Sequence, residues 1–207
     1  MMMMLNADDD FELTNCVFLA GILIIGDFDH ASQSVEFWSA ADPEQGSCVL
    51  NDYPRRMKEG PTVNLVSGRL VACMEDTCEI YQEGSWHHLQ RTTVTRYYHS
   101  SATTEEAVLL IGGYSLTNTT EWIPVDGSPS QPGPFNIRHG HSHCTLQISN
   151  EIIIVTGGYK TWSYVTEYQL SGDGNETPLS SMTQARNRHA CGVYRGAGGE
   201  QVRRVCS

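Results

Sequence analysis

The chain has 207 residues, which is room for one domain or for an array of small repeats. Hydrophobic residues make up 40% of it, an ordinary fraction for a globular protein, so most of the chain can bury a core. The net charge is −11, with 24 acidic against 13 basic residues. Nucleic-acid backbones and anionic membranes repel such a surface, so we expect neither as the main partner.

Residues 1–15 open the chain with four methionines and a run of three aspartates, and we predict a flexible acidic start there. The apolar run 17–26 that follows has the length of a signal-peptide core. Asp8, Asp9, Asp10 and Glu12 precede it, where a signal peptide requires positive charge, and the run is too short to span a bilayer. We predict that this run is a buried strand.

From here on one pattern recurs: an apolar run, a glycine position, and a glutamate beside an aromatic or apolar residue. The copies follow one another every 40 to 46 residues, which indicates an array of repeats. In chain order the glycine positions and glutamates are Gly26 with Glu36, Ala72-Cys73 with Glu79, Gly112-Gly113-Tyr114 with Glu121, and Gly157-Gly158-Tyr159 with Glu167.

A second mark precedes the apolar runs, an arginine followed three residues later by a histidine. Because glutamate and arginine recur together, and an unpaired buried carboxylate is costly, we predict a partly buried Glu–Arg contact within or between repeats. The mark consists of Arg96 with His99, Arg138 with His141, Arg186 with His189, and a degenerate copy at Arg56 with Glu59.

Each repeat has strand chemistry, with short apolar runs that are rich in β-branched residues and bounded by turn residues. Continuous apolar runs indicate strands that are covered on both faces. In the third repeat we predict strands near Tyr97–Thr104, Ala107–Ile111, Thr119–Val125 and Pro134. In the fourth repeat we predict strands near Gly140–Gln147, Glu151–Thr156, Thr166–Leu170 and Glu176–Met182.

With these marks the chain resembles the kelch-repeat family, whose motif has a strand ending in Gly-Gly, a glutamate beside an aromatic or apolar residue, and a later tryptophan. Trp86 fits the tryptophan position in the second repeat only. The resemblance implies an all-β fold, a kelch-type β-propeller of about four blades. The propeller would cover residues 16–207, with units near 16–55, 56–95, 96–137 and 138–185 and a partial unit at 186–207.

The number of blades is left open, because kelch propellers usually have six. The chain is either incomplete, as a fragment of a six-bladed propeller would be, or its last strands complete the first blade and close the array at four. An open array would leave sheet edges that invite self-association.

The strongest candidate for chemistry is the alternating set His139, His141 and His143. On a strand these side chains would share a face, where imidazoles can bind zinc or copper, although alternate residues are about 6–7 Å apart. His141 is better explained as the histidine of the repeat mark, like His99 and His189. We therefore predict no metal-binding residues.

Among kelch-like proteins, the copper enzyme galactose oxidase needs two tyrosines, two histidines and a cross-linked cysteine–tyrosine pair. Such a set cannot be placed on this sequence. We expect no catalytic residues, no cofactor and no enzyme, with a degenerate oxidase-like or metal-dependent enzyme as the alternative.

The function that the resemblance implies is a non-catalytic protein-binding scaffold. Kelch proteins serve as substrate receptors of ubiquitin ligases or as actin-binding organisers, which implies a substrate-recognition or cytoskeletal adaptor. Loops can vary without disturbing the strands, so we expect protein partners to bind at inter-strand loops. The candidates are Asp29–Ser34, Tyr114–Thr119 and Tyr159–Tyr164.

Cysteines and glycosylation sequons bear on localisation. The seven cysteines are odd in number and scattered, which favours reduced, partly buried thiols and a cytoplasmic protein. The sequons Asn118-Thr119-Thr120 and Asn175-Glu176-Thr177 keep an extracellular, glycosylated recognition module as an alternative. Pro178 directly follows the second sequon.

Overall fold

The structure is a computed structural model, and it describes residues 2–5, 11–13, 16–18, 21–25, 33–39, 47–55, 60–114, 118–171, 174–195 and 202–206. In this part of the chain the regular elements are all β-strands, so the all-β prediction is confirmed. No helix among the described residues has the length and hydrophobicity that crossing a bilayer requires.

The strands pair antiparallel in consecutive sheets, and the strands named next to each other below share hydrogen bonds. The first sheet contains β1 (Met2–Leu5), β4 (Gly21–Ile25), β5 (Val35–Ser39) and β6 (Ser47–Leu50), and a separate hairpin joins β2 (Phe11–Leu13) to β3 (Cys16–Phe18). The second contains β7 (Thr62–Val66), β8 (Arg69–Gln82) and β9 (Ser85–Arg96). The third contains β10 (Ser100–Thr103), β11 (Ala107–Ile111), β12 (Thr119–Pro124) and β13 (Gln131–Asn136). The fourth contains β14 (Cys144–Gln147), β15 (Ile152–Thr156), β16 (Val165–Gln169) and β17 (Glu176–Pro178), and the fifth pairs β18 (Cys191–Arg195) with β19 (Val202–Cys206).

The strands predicted for the third and fourth repeats are therefore confirmed as two four-stranded sheets. The main difference is at the start of the fourth repeat, where the strand begins at Cys144 and the preceding residues form an irregular connection. At the other end of the chain, β1 and β2 lie within the segment 1–15 that we expected to be flexible, and β1 pairs with β4.

Consecutive sheets share hydrophobic cores, and their first strands β7, β10, β14 and β18 are neighbours in space. Along β11 the side chains alternate between two of these cores. Val108 and Leu110 pack in the core shared with the second sheet, whereas Leu109 and Ile111 pack in the core shared with the fourth. A strand that is covered on both faces needs an apolar side chain at every position, which explains the continuous run.

The paired glycines end the second strand of a sheet at the point where the next repeat approaches. A Cβ on Gly157, whose φ is +62°, would lie 2.4 Å from the carbonyl oxygen of Arg186 and 2.7 Å from Cε1 of His189. Gly112, at the same place in the third sheet, has the same φ, and a Cβ there would meet the equivalent atoms of the fourth repeat. Glycine is required at both positions by its backbone conformation and by the close approach of the next repeat.

The strand register of the second sheet corrects the predicted glycine position. Cys73 pairs with the first residue of β7, as Ile111 pairs with the first residue of β10. The residues that follow, Met74-Glu75, therefore stand at the glycine position, and the assignment to Ala72-Cys73 is wrong. Glu75 has a φ of 54°, the left-handed backbone that glycine adopts in the third and fourth repeats.

Among the residues whose side chains the structure describes, four cysteines form two disulfides, so the prediction of reduced thiols is wrong for these four. Cys73–Cys78 joins the half of β8 that pairs with β7 to the half that pairs with β9. Cys144–Cys191 joins β14 of the fourth sheet to β18 of the fifth. The second pair is 47 residues apart in the chain, and only the packing of consecutive sheets brings it together.

Candidate functional site

Arg96 and Glu121 link the last residue of β9 to β12 through a buried ion pair. Nη2 of Arg96 lies 3.3 Å from Oε2 of Glu121. Arg96 also donates to the carbonyl oxygens of Gly112 at 2.9 Å and Thr119 at 3.0 Å, and the N–H of Thr93 donates to Glu121 at 2.6 Å. The predicted Glu–Arg contact is confirmed in this repeat, where these hydrogen bonds offset the burial of both charges.

The second repeat has a more exposed version of the same contact. Nε of Arg55 lies 3.3 Å from Oε1 of Glu79, and the arginine side chain is 45% exposed. The phenolic hydroxyl of Tyr53 also donates to Glu79. Arg56, which the sequence pattern assigned to this contact, lies outside the described residues.

The fourth sheet differs because its strand register is offset by one residue. Thr166 pairs with Val155, at the position where Glu121 pairs with Leu110 in the third sheet. Glu167 is thereby placed on the opposite side of β16 and is only half-buried. The predicted contact of Glu167 with an arginine is wrong, and Arg138 pairs with Glu176 instead.

His139 takes the place of the arginine in the fourth repeat. Its Nδ1 donates to the carbonyl oxygen of Gly157 at 2.8 Å, and its Nε2 lies 3.0 Å from the hydroxyl of Thr166. Burial lowers the pKa of His139 below its ordinary value, so the ring is neutral at neutral pH. A neutral His–Thr pair thus replaces the charged Arg–Glu pair.

A buried histidine connects each of two repeats to the sheet before it. Nε2 of His99 lies 3.1 Å from the hydroxyl of Thr62, and Nε2 of His143 lies 2.8 Å from the hydroxyl of Ser100. Thr62 and Ser100 are the first residues of β7 and β10, so the two contacts are equivalent. The repeat histidine of the fourth repeat is therefore His143, and its assignment to His141 is wrong.

His139, His141 and His143 do not lie on a strand, contrary to the expectation, although the ring centroids of His139 and His143 are 6.3 Å apart. They lie in the irregular connection before β14, where backbone direction changes from residue to residue. His139 and His143 are buried and bonded to separate partners, and His141 is partly exposed. Within the described ranges, no group of three His, Cys, Asp or Glu side chains is placed to hold a metal ion.

Three residues with left-handed backbone tie consecutive repeats together. Tyr98, Ser142 and Arg188 have φ values of 54°, 59° and 50°, and each directly precedes a histidine. The N–H of Ser142 donates to the carbonyl of Tyr98 at 3.0 Å, and the N–H of Arg188 donates to the carbonyl of Ser142 at 2.8 Å. Such backbone is uncommon for residues other than glycine and persists where the surroundings hold it.

Beside this backbone, five rings cluster at one end of the third and fourth sheets. His141 lies at the centre, with its ring centroid 4.9 Å from Tyr159 in a stacked arrangement and 5.1 Å from Tyr114 edge-on. Tyr98 lies 6.1 Å from His141, and Trp162 lies 5.8 Å from Tyr159. We call this cluster the aromatic face, and it consists of Tyr98, Tyr114, His141, Tyr159 and Trp162.

The aromatic face is open to solvent and held by backbone hydrogen bonds. The exposed fractions are 58% for Tyr114, 43% for Tyr159 and 43% for Trp162, and the neighbouring Tyr164 is 52% exposed. In the described part of the chain, these four are the exposed large hydrophobic side chains. The N–H groups of Tyr114 and Tyr159 donate to carbonyl oxygens of their own repeats at 2.6 and 2.9 Å. The backbone that carries these two tyrosines is therefore held in place.

Two cations border the aromatic face. The guanidinium of Arg188 lies 4.8 Å above the ring of Tyr98, and Nζ of Lys160 lies 5.8 Å from the ring of Tyr159. Neither is paired with a carboxylate of the described residues. Partial burial, and next the charge of Arg188, lower the pKa of His141, so its ring is neutral at neutral pH.

Two of the three predicted contact loops contribute to this face. Tyr159–Tyr164 supplies Tyr159 and Trp162, and Tyr114–Thr119 supplies Tyr114, while residues 115–117 lie outside the described part. Of Asp29–Ser34, residues 29–32 lie outside it as well. The sequence pattern missed Tyr98, although its place directly before the repeat histidine His99 is a signal that could have found it.

A concavity lies at the opposite end of the third sheet, with Arg69, Trp122 and Asp126 in its wall. Two of its charged groups are already engaged in hydrogen bonds. Arg69 donates to the carbonyl of Val125 at 3.4 Å, and Asp126 accepts the N–H of Ser128 within its own turn at 2.8 Å. The aromatic face holds three of the four exposed large hydrophobic side chains of the described residues, and it is therefore the better candidate site.

Comparison with known proteins bears on the fold. No protein-family model matches the chain, and no curated protein matches it. Among solved structures, the structure of YjhT is similar over 91% of this chain and 76% of that chain, with a TM-score of 0.69 and 10% sequence identity. At this identity the similarity concerns the fold alone.

Proposed function

We propose that the chain is a non-catalytic protein-binding scaffold built as a kelch-type β-propeller, and that the aromatic face is its contact surface. Consecutive antiparallel sheets with shared cores and Gly-Gly-Tyr turns support the assignment of the sheets as blades. The observation that carries the function is the contiguous, exposed cluster of Tyr114, His141, Tyr159 and Trp162.

The chemistry of the cluster favours a protein partner. Tyrosine, tryptophan and arginine are the residue types that contribute most to binding energy at protein interfaces. A contiguous apolar patch that is exposed on a protein surface marks an interaction site. Because hydrogen bonds already hold the backbone at Tyr114 and Tyr159, that backbone would lose little conformational entropy when a partner binds.

The two disulfides change the compartment that we propose. Disulfides form and persist in secreted and lumenal proteins and are rare in the cytosol. Cys73–Cys78 and Cys144–Cys191 therefore favour an extracellular or lumenal recognition module over the cytoplasmic adaptor that the family resemblance implies.

Site-specific photocrosslinking tests the contact surface. A benzophenone amino acid replaces Trp162 in one variant and Glu106 in another, and both proteins are made in the cells that naturally produce the chain. Glu106 is exposed in the turn at the opposite end of the third sheet, which makes it a matched control. We expect a discrete crosslinked partner from position 162 and none from position 106.

The partner identified in this way is then tested against purified variants. Trp162→Ala and Tyr159→Ala should each weaken its binding by roughly 30-fold, the effect of losing an interface residue worth about 2 kcal/mol. Both side chains are 43% exposed, so the thermal unfolding temperature should stay near that of the parent. Equal crosslinking from both positions would show that the aromatic face is not the contact surface. So would full binding by a variant that carries both Trp162→Ala and Tyr159→Ala.

A further inference from the structure

The backbone of Asn118 is held by hydrogen bonds, whereas its side-chain amide makes none within the described residues. Its carbonyl oxygen accepts the N–H of Ile137 at 2.6 Å, and the next carbonyl, of Thr119, accepts the N–H of Gly112 at 3.1 Å. The residue itself is exposed, and its amide makes no hydrogen bond within the described part of the chain. The described part of the fold therefore does not use this side chain.

Asn118 is also the first residue of the acceptor triplet Asn118-Thr119-Thr120. In the folded chain the hydroxyl of Thr120 donates to the carbonyl of Phe135 at 2.6 Å and is buried. The triplet can thus be read by a transferase only before β12 pairs with β13. Modification would precede folding, and the folded structure leaves room for its product at Asn118.

The disulfides supply an independent observation on compartment. Two bridges, one of them between sheets, require an oxidising environment for the chain to mature. Asparagine-linked glycosylation takes place in that same secretory environment. An exposed acceptor asparagine and two disulfides, which rest on different residues, point to one route.

We infer that Asn118 carries an N-linked glycan. The donor class is a lipid-linked oligosaccharide diphosphate. The bond between the sugar C1 and the phosphate oxygen breaks, a bond between C1 and Nδ2 of Asn118 forms, and the amide proton leaves with the released diphosphate. No oxidation or reduction takes place. The glycan stands at the same end of the third sheet as the aromatic face.

Deglycosylation in heavy-oxygen water tests this inference. The protein is captured by an antibody from the cells that make it and treated with peptide N-glycosidase in H₂¹⁸O, and its peptides are sequenced by mass spectrometry. We expect residue 118 to appear as ¹⁸O-labelled aspartate and the intact mass to fall on treatment. An unmodified Asn118 would overturn the inference, even if Asn175 were labelled.

A matched pair of variants produced in the same cells confirms the position. Asn118→Gln should remove one glycan and give a faster-migrating band before treatment. Asn136→Gln, which alters the exposed cross-strand neighbour of Thr119 outside any acceptor triplet, should leave the band unchanged. The inference fails if Asn118→Gln migrates like the parent. This outcome is independent of whether the aromatic face binds a partner.

Discussion

Thr166 occupies in the fourth sheet the position that Glu121 occupies in the third. The repeat pattern instead aligns Glu121 with Glu167, the next residue in the chain. Glu121 is 1% exposed and paired with an equally buried Arg96. Glu167 is half-buried and makes no ion pair with a described residue. Two glutamates that look equivalent in the sequence therefore have different energetic roles.

The first prediction follows from this difference. Glu121→Ala should lower the free energy of unfolding by about 3–5 kcal/mol, because it leaves the buried guanidinium of Arg96 without its counter-charge. Glu167→Ala, the matched control, should cost less than about 1 kcal/mol. Urea unfolding followed by tryptophan fluorescence measures both. Equal effects of the two substitutions would contradict the paired role of Glu121.

The second prediction concerns acid. Burial lowers the pKa of His99 to about 4, and burial together with neighbouring histidines lowers that of His143 to about 3. Both rings are neutral in the folded protein, whereas in the unfolded chain they take up protons below their ordinary pKa of about 6.5. Their stabilising effect is therefore complete above pH 6.5 and is lost as the pH falls towards 4. For His99 alone the loss at pH 4 is roughly 3 kcal/mol.

Unfolding by urea at a series of pH values between 7 and 4 checks this dependence. His99→Gln should flatten the decline, since glutamine does not titrate. His88→Gln alters an exposed histidine and should keep the slope of the parent. A parent protein that is equally stable at pH 7 and pH 4 would contradict the neutral, buried state of His99 and His143.

The third prediction distinguishes the two disulfides by the length of chain that each closes. Cys144–Cys191 spans 47 residues and Cys73–Cys78 spans 5. Loss of chain entropy in the unfolded state predicts a stabilisation of about 4 kcal/mol for the longer loop and about 2 kcal/mol for the shorter one. Paired Cys→Ser variants, melted in a calorimeter, should therefore rank in that order. The reverse order would show that chain entropy does not govern their effects.

The fourth prediction separates two reasons for glycine. Gly157→Ala places a Cβ 2.4 Å from the carbonyl oxygen of Arg186, whereas Gly127 has no atom within 4 Å of the equivalent position. Both residues have positive φ, 62° and 84°, so both substitutions carry the backbone penalty of roughly 1–2 kcal/mol. We expect Gly157→Ala to cost clearly more than Gly127→Ala in urea unfolding. Similar costs would mean that the approach of the next repeat is not tight.

The sequence predicts the strands of the third and fourth repeats because their apolar runs end in glycines that the fold requires. It does not reveal the register of β16. The connections from Gly112 to Thr119 and from Gly157 to Tyr164 have equal lengths, so the extra residue before Glu167 shifts the strand instead of lengthening the turn. A residue count cannot distinguish these two outcomes.

The candidate site could be predicted only in part. Tyr114 and Tyr159 follow the glycine pairs, and their place in a turn is visible in the pattern. The contacts of His141 with both tyrosines depend on how consecutive repeats pack, as does the pairing of Cys144 with Cys191. Distances between repeats are properties of tertiary structure, and no local spacing encodes them.

The hydrogen bonds that join Tyr98, Ser142 and Arg188 use backbone groups only. An aromatic, a small hydroxyl and a cationic side chain consequently occupy one structural position in three successive repeats without disturbing the chain around them. The fold thus separates the framework from the chemistry that it displays. Ser142 is buried, so a library randomised at Tyr98 and Arg188 would change what the surface recognises while keeping its backbone, which makes this chain a starting scaffold for engineered affinity reagents.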